Sequence, residues 1–158
     1  MSFENAHADL EKKGFADRVK TFEVSSATVE LAAVAVGTAP ERIAKSMSFM
    51  LDDGPIVVVM AGDARVDNRK FKDTFHKKAK MLTFEEAEQL VGHAPGGVCS
   101  FAVNDGVKCY LDESLKRFTT VFPACGSSNS AIELTCEELE KYSCPPASWV
   151  DVCKLPES

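Results

Sequence analysis

Met47-Ser-Phe-Met-Leu51, Asp52-Asp-Gly-Pro55 and Ile56-Val-Val-Val-Met60 form the stretch that decides the fold. The outer segments are rich in apolar residues that suit a pleated surface, and the middle one is built from residues that turn a chain. Two such runs joined by such a turn pair as a hairpin. The second run is apolar at every position, as expected of a strand covered on both faces.

Working outward, Gly62-Asp63 breaks the second strand. Asp67 is placed to cap a basic helix over residues 68–76, and residues 79–82 read as a short strand. Thr83-Phe-Glu-Glu86 is a capping box for a helix that Gly92 stops. On the N-terminal side, Thr38-Ala-Pro-Glu41 reads as another capping box, opening a brief helix that delivers Ile43 and Lys45. Ser25 and Ser26 offer caps for a helix through Val29, Ala32, Ala33 and Val36, closed by Gly37. Residues 19–24 alternate as a strand, and residues 2–13 form an amphipathic helix through Phe3, Ala6 and Leu10.

Later in the chain, residues 98–103 and 107–111 flank Asn104-Asp-Gly106, a hairpin signal. Asp112 is placed to cap one turn over residues 113–118. Residues 119–122 and 131–134 flank a loop containing Gly126 and Ser127. Thr135-Cys-Glu-Glu138 is a third capping box, and residues 149–153 read as a closing strand. Helices come early and hairpins late, without a regular alternation of strand and helix. The expected class is α+β: a mixed, largely antiparallel sheet that curls toward a barrel, with flanking helices. At 158 residues the chain fits one compact domain, residues 1–158.

The hydrophobic fraction of 45% and charged fraction of 27% are those of a globular protein. No apolar run is long enough to span a membrane, and no signal peptide is expected, so the expected location is the cytosol. Cys99, Cys109, Cys125, Cys136, Cys144 and Cys153 contain no C-x-x-C pair and no histidine at ligand spacing. They read as reduced thiols, some buried as small hydrophobes. A net charge of −6 argues against a general nucleic-acid coat. It leaves room for a local patch, and Arg65, Arg69, Lys70, Lys72, Lys77, Lys78 and Lys80 cluster in one stretch.

No familiar nucleophile, metal or nucleotide-binding signature is present. Three features carry chemistry instead. Lys45 is the one cation among mostly apolar and small neighbours, where it needs solvent, a carbonyl or an anionic ligand. Gly62-Asp63 offers a carboxylate at a strand end, which could accept from an amine or a ribose hydroxyl, or bond its own turn. Gly96-Gly97 allows close approach of a ligand, and successive N–H groups there could hold a carbonyl oxygen or an oxyanion. Taken singly, each is equally an exposed side chain or an ordinary turn.

Their order is more specific than any one of them. The chain runs I-A-K-S-M-S-F, an apolar strand, G-D-A-R-V-D, a basic helix, G-G-V-x-S-F, L-D-E-S-L, C-G-S-S-N and I-E-L-T-x-E-E-L. From about Val19 to Val152 this series resembles the YbaK/prolyl-tRNA synthetase-associated family of trans-editing domains. The resemblance implies a barrel-like α+β fold and hydrolysis of the ester that joins a wrong amino acid to tRNA, often tRNA for proline. It implies Lys45 as the pocket lysine and Gly96-Gly97 as the glycine loop that holds the aminoacyl group, with Val98 and Ser100 beside it. Gly62 and Asp63 match the family's strand end, and Gly126 and Ser127 a segment at the pocket rim. Where the family commonly has proline, this chain has Ser100, which restores an N–H and adds a hydroxyl.

An aminoacyl ester is already activated, so positioning a water and stabilising an oxyanion could suffice. In that reading Lys45 anchors a phosphate or the scissile carbonyl region, and the Gly96 and Gly97 amides hold the carbonyl oxygen. Arg65, Arg69, Lys70, Lys72 and Lys77 would meet acceptor-stem phosphates. No metal or organic cofactor is required. The expected partners are misacylated tRNA carrying alanine, cysteine or serine, and an aminoacyl-tRNA synthetase; neither a membrane nor DNA is expected. The rival reading is a non-catalytic module that binds aminoacyl-tRNA or a synthetase.

Overall fold

The computed structural model describes residues 20–21, 29–52, 54–92, 106–123, 130–142 and 148–155. Its centre is the expected hairpin. Strand β2 (Ile43–Leu51) pairs antiparallel with β3 (Gly54–Ala61), and the ladder runs from Ala44↔Ala61 to Leu51↔Gly54. Gly54 has φ 126°, a backbone region that side chains with a Cβ avoid, which explains glycine at the end of this turn. Both strands are longer than their apolar runs. Residues 56–61 are all at most 2% exposed, as a strand covered on both faces requires.

The remaining strands are β1 (Lys20–Thr21), β4 (Arg65–Val66), β5 (Lys108–Asp112), β6 (Thr120–Pro123), β7 (Ser130–Ala131), β8 (Leu134–Thr135), β9 (Ser148–Val150) and β10 (Cys153–Lys154). Four of them join β2 and β3 in one sheet in the order β8-β6-β2-β3-β5-β9, curled as a half-barrel. Two small sheets, β1-β7 and β10-β4, complete the set among the described residues. Four ladders are antiparallel and three parallel. The class is the expected α+β with a mixed sheet. The parallel ladders β3-β5 and β5-β9 arise because the chain crosses over through helices between those strands.

Helix α1 is Val29–Val36, ended by Gly37 at φ 75°, and its Ala33 packs on Ile43 and Phe122. Helix α2 is Asn68–Phe75, and Asp67 caps it by accepting from the Arg69 and Lys70 N–H groups. Phe71 of α2 is fully buried, with its ring 5.0 Å from Phe49 and 4.8 Å from Phe75. Helix α3 (Phe84–Glu86) opens with the predicted capping box: Thr83 N–H donates to Glu86, and Glu86 N–H to Thr83. It widens into a π-helical turn over Ala87–Val91 and ends at Gly92, φ 100°. Helix α4 (Cys136–Tyr142) has the same reciprocal box between Thr135 and Glu138.

Four expectations need correction. Residues 131–134 are not one strand: Ser130–Ala131 pairs with β1 and Leu134–Thr135 with β6. Residues 38–41 do not form a capping box; a 3-10 turn, Pro40–Arg42, follows Ala39, which makes no side-chain cap. Ile43 and Lys45 therefore belong to β2, because Ile43 and Ala44 pair with Phe122 and Pro123 of β6. Residues 149–153 are not one strand. The chain leaves the large sheet after Val150 and pairs again at Cys153 with Val66 of β4. Residues 79–82 do not form a full strand: only one bridge, Phe49↔Met81, with two backbone hydrogen bonds, Met50 N–H to Lys80 O and Leu82 N–H to Ser48 O, ties them to β2. The helix over residues 2–13 and the strand over 98–103 lie outside the described residues.

Candidate functional site

Alternation along β2 puts Lys45 on the same sheet face as Met47 and Phe49. Phe71 of α2 covers Phe49. Lys45 lies two turns of the pleat further on, paired in register with Met60, where β3 is about to end at the Gly62-Asp63 turn. Its side chain is half-buried, and Nζ donates to the Gly62 carbonyl at 3.4 Å, a long contact. The cation on this apolar strand thus has a carbonyl partner.

Asp63 does not bond its own turn. Arg117 grips its carboxylate with both guanidinium arms, Nη1 to Oδ2 at 3.1 Å and Nη2 to Oδ1 at 2.5 Å. Arg117 Nε also donates to the Ser114 carbonyl at 3.0 Å. Both residues sit on a 3-10 turn, Glu113–Arg117, that follows β5. Asp112 begins that turn as predicted, with Oδ2 accepting from Ser114 N–H at 2.9 Å. Its Oδ1 accepts from Val152 N–H at 2.8 Å, so a carboxylate that is 1% exposed is satisfied by two backbone donors. Ser114 Oγ in turn accepts from Ala61 N–H at 3.1 Å.

Beside Arg117 lies a cleft of about 370 Å³, lined in part by Lys70, Asp112, Asp151 and Lys154. The five basic candidates divide here. Arg65, Arg69 and Lys72 are exposed. Lys70 is engaged: Nζ reaches Asp151 Oδ1 at 3.1 Å and the Cys153 carbonyl at 2.9 Å, and the Asp151 bond raises its pKa. Lys77 is paired with Asp52 at 2.5 Å. Gly96, Gly97, Val98, Ser100, Gly126 and Ser127 lie outside the described residues.

The thiols in view behave as small hydrophobes. Cys109 and Cys153 are buried, and burial pushes the Cys153 thiol up to about 12. Among the described residues, no group of three or more His, Cys, Asp or Glu side chains could hold a metal ion. No helix among them is long and apolar enough to cross a membrane.

A profile of the aminoacyl-tRNA editing domain matches residues 23–142. The chain belongs to the aminoacyl-tRNA editing domain family. A Bacillus subtilis protein, the uncharacterized YwhH, is 49% identical over 98% of both chains. The proline–tRNA ligase of the same organism is 31% identical over 62% of this chain, which spans 16% of that enzyme. A solved structure whose description proposes a trans-editing enzyme for prolyl tRNA synthetase superposes with a TM-score of 0.86 at 29% identity, covering 97% of each chain.

Two residues of this editing domain escaped the sequence reading. Arg117 is 54 residues from Asp63, and no local pattern links them. Lys154 is the register partner of Arg65 across β4 and β10, and both are exposed. Its only sequence signal is that it is the last cation of the sequence, between Asp151 and Glu157.

Proposed function

We propose that residues 1–158 act as one trans-editing deacylase, hydrolysing the ester of misacylated tRNA of the proline type that carries alanine, cysteine or serine. The observation that carries this reading is Lys45: an ammonium held at the end of a buried strand pair, 3.4 Å from the Gly62 carbonyl. The Gly62 carbonyl aims the ammonium, and a phosphate or ester oxygen would add a charge-assisted contact to it. Lys45 then serves as an anchor and not as a base or nucleophile. In the same reading the Gly96 and Gly97 amides take the carbonyl oxygen, and the substrate's amine or ribose hydroxyl orients the attacking water. Arg65, Arg69 and Lys72 leave their charges free for acceptor-stem phosphates. The working location is the cytoplasm, where charged tRNA and its synthetase meet.

The test is a deacylation panel of tRNA for proline charged with alanine, cysteine, serine or proline. The wild type should release at least one of the wrong amino acids, and Lys45→Ala should lose at least about 100-fold in rate. Equal release by both proteins would remove Lys45 from the mechanism. Tight binding of the charged tRNA with no release at all would replace the deacylase by a binding module.

A further inference from the structure

We propose that Arg117 is a positioning residue for the Lys45 site; this rests on the reading of Lys45 as the substrate anchor. The contacts run in a closed circuit. The turn after β3 is closed by Ala64 N–H donating to Ala61 O at 3.0 Å. The 3-10 turn at residues 113–117 holds it from outside at two points: Ser114 Oγ takes the Ala61 N–H, and Arg117 takes both oxygens of Asp63. Arg117 ties those points together through its Nε bond to Ser114 O. Between Ala61 and Asp63 stands Gly62, whose carbonyl receives Lys45 Nζ. A glycine between two fixed neighbours has its carbonyl direction set by them, although glycine itself could turn freely.

The Asp63–Arg117 pair is partly exposed, with side chains 18% and 34% accessible, so it adds little to stability. Its consequence is geometric. Two parallel N–H···O bonds fix both the distance and the plane of the carboxylate, which a single lysine contact cannot do. Releasing Asp63 lets the Gly62 carbonyl swing, and Lys45 loses its fixed position relative to the substrate. Arg117 touches no reacting atom in this scheme. It acts through Asp63 and Gly62.

The molecule supplies its own control. Arg42, just before β2, pairs with Glu133 at 3.2 Å, with comparable accessibilities of 35% and 47%, on the β6 flank of β2, opposite the β3 flank that carries the Gly62 turn. The experiment compares Arg117→Ala, Arg117→Lys, Asp63→Asn and Arg42→Ala in the full chain. Three quantities are read: kcat and KM on the best substrate of the panel, the thermal midpoint, and the rate at which acetic anhydride acetylates Lys45, followed by mass spectrometry. Arg117→Ala and Asp63→Asn should each lower kcat about 10-fold with KM within about 2-fold, since a displaced group costs chiefly the chemical step. Arg117→Lys should recover part of the loss. Both damaging variants should change Lys45 acetylation by at least about 3-fold with the thermal midpoint preserved, and Arg42→Ala should leave it unchanged. Asp63→Asn decides the matter if Arg117→Ala fails to fold. If the wild type hydrolyses nothing, the deacylase reading falls, and acetylation alone decides the positioning role. Unchanged acetylation in Arg117→Ala and Asp63→Asn, or the same change in Arg42→Ala, overturns the proposal.

Discussion

Cys153 shows how a residue beside the site can be chemically silent. Its Sγ lies 3.5 Å from Met60 Sδ, and Met60 is the register partner of Lys45. Burial is the main cause that raises its pKa from 9.0 to about 12, with the Asp112 carboxylate adding to it and the Lys45 charge opposing it. The thiolate is the nucleophile, so this sulfur stays inert at neutral pH. Iodoacetamide at mildly alkaline pH should alkylate Cys153 in the unfolded chain and spare it in the native one; native alkylation at the unfolded rate would contradict the burial. The same shift fixes a pH dependence. The unfolded thiol ionises first, so the stability it contributes is complete below pH 9.0 and is lost as pH rises toward 12. Denaturant unfolding should therefore weaken across that window by up to about 1.4 kcal/mol per pH unit, and Cys153→Val should flatten the decline.

Among the elements, α2 links the core to the proposed tRNA face. Phe71 sits between the rings of Phe49 and Phe75, and Phe75 meets Tyr110 edge-on at 5.0 Å. Truncating Phe71 to alanine empties that stack and should cost about 3–5 kcal/mol in urea unfolding. A loss below about 1 kcal/mol would mean that the site collapses around the gap. The element shows also what a sequence reveals and why. Asp67, the Thr83–Glu86 box and the Thr135–Glu138 box were readable because cap and partner lie three residues apart. Thr38 to Glu41 has the same local pattern and failed, because Ile43 and Ala44 are drawn into the sheet by Phe122 and Pro123, far along the chain. The hairpin over residues 47–60 was legible from its own pattern, but its extension back to Ile43 and the parallel placement of β5 against β3 were not. The candidate site divides likewise. Lys45 and Gly62-Asp63 could be named from composition and order, whereas the Arg117 grip on Asp63 exists only once the fold joins residues 54 positions apart.

On the scale of the whole molecule, the balance of charge opposes the proposed partner. The chain carries a net −6, yet tRNA is a polyanion. The fold handles this locally: Arg65, Arg69 and Lys72 are exposed on β4 and α2, immediately after the Gly62-Asp63 turn, and Lys154 stands opposite Arg65. Like charges opposite each other across a ladder repel, so that pair is stabilised when a phosphate lies between them. Binding to a tRNA acceptor stem should therefore weaken steeply with salt, with a log–log slope set by the number of phosphates met. Removing Arg65, Arg69 and Lys72 together should reduce that slope by about 2–3 and weaken binding, and Lys154→Ala should reduce it by about 1. Lys77→Ala should leave the slope nearly unchanged, because Asp52 already neutralises that ammonium at 2.5 Å. Deacylation at saturating tRNA should keep its kcat in the triple variant, since these cations lie outside the Lys45–Gly62 contact. An unaltered slope in the triple variant would move the tRNA to another face of the molecule.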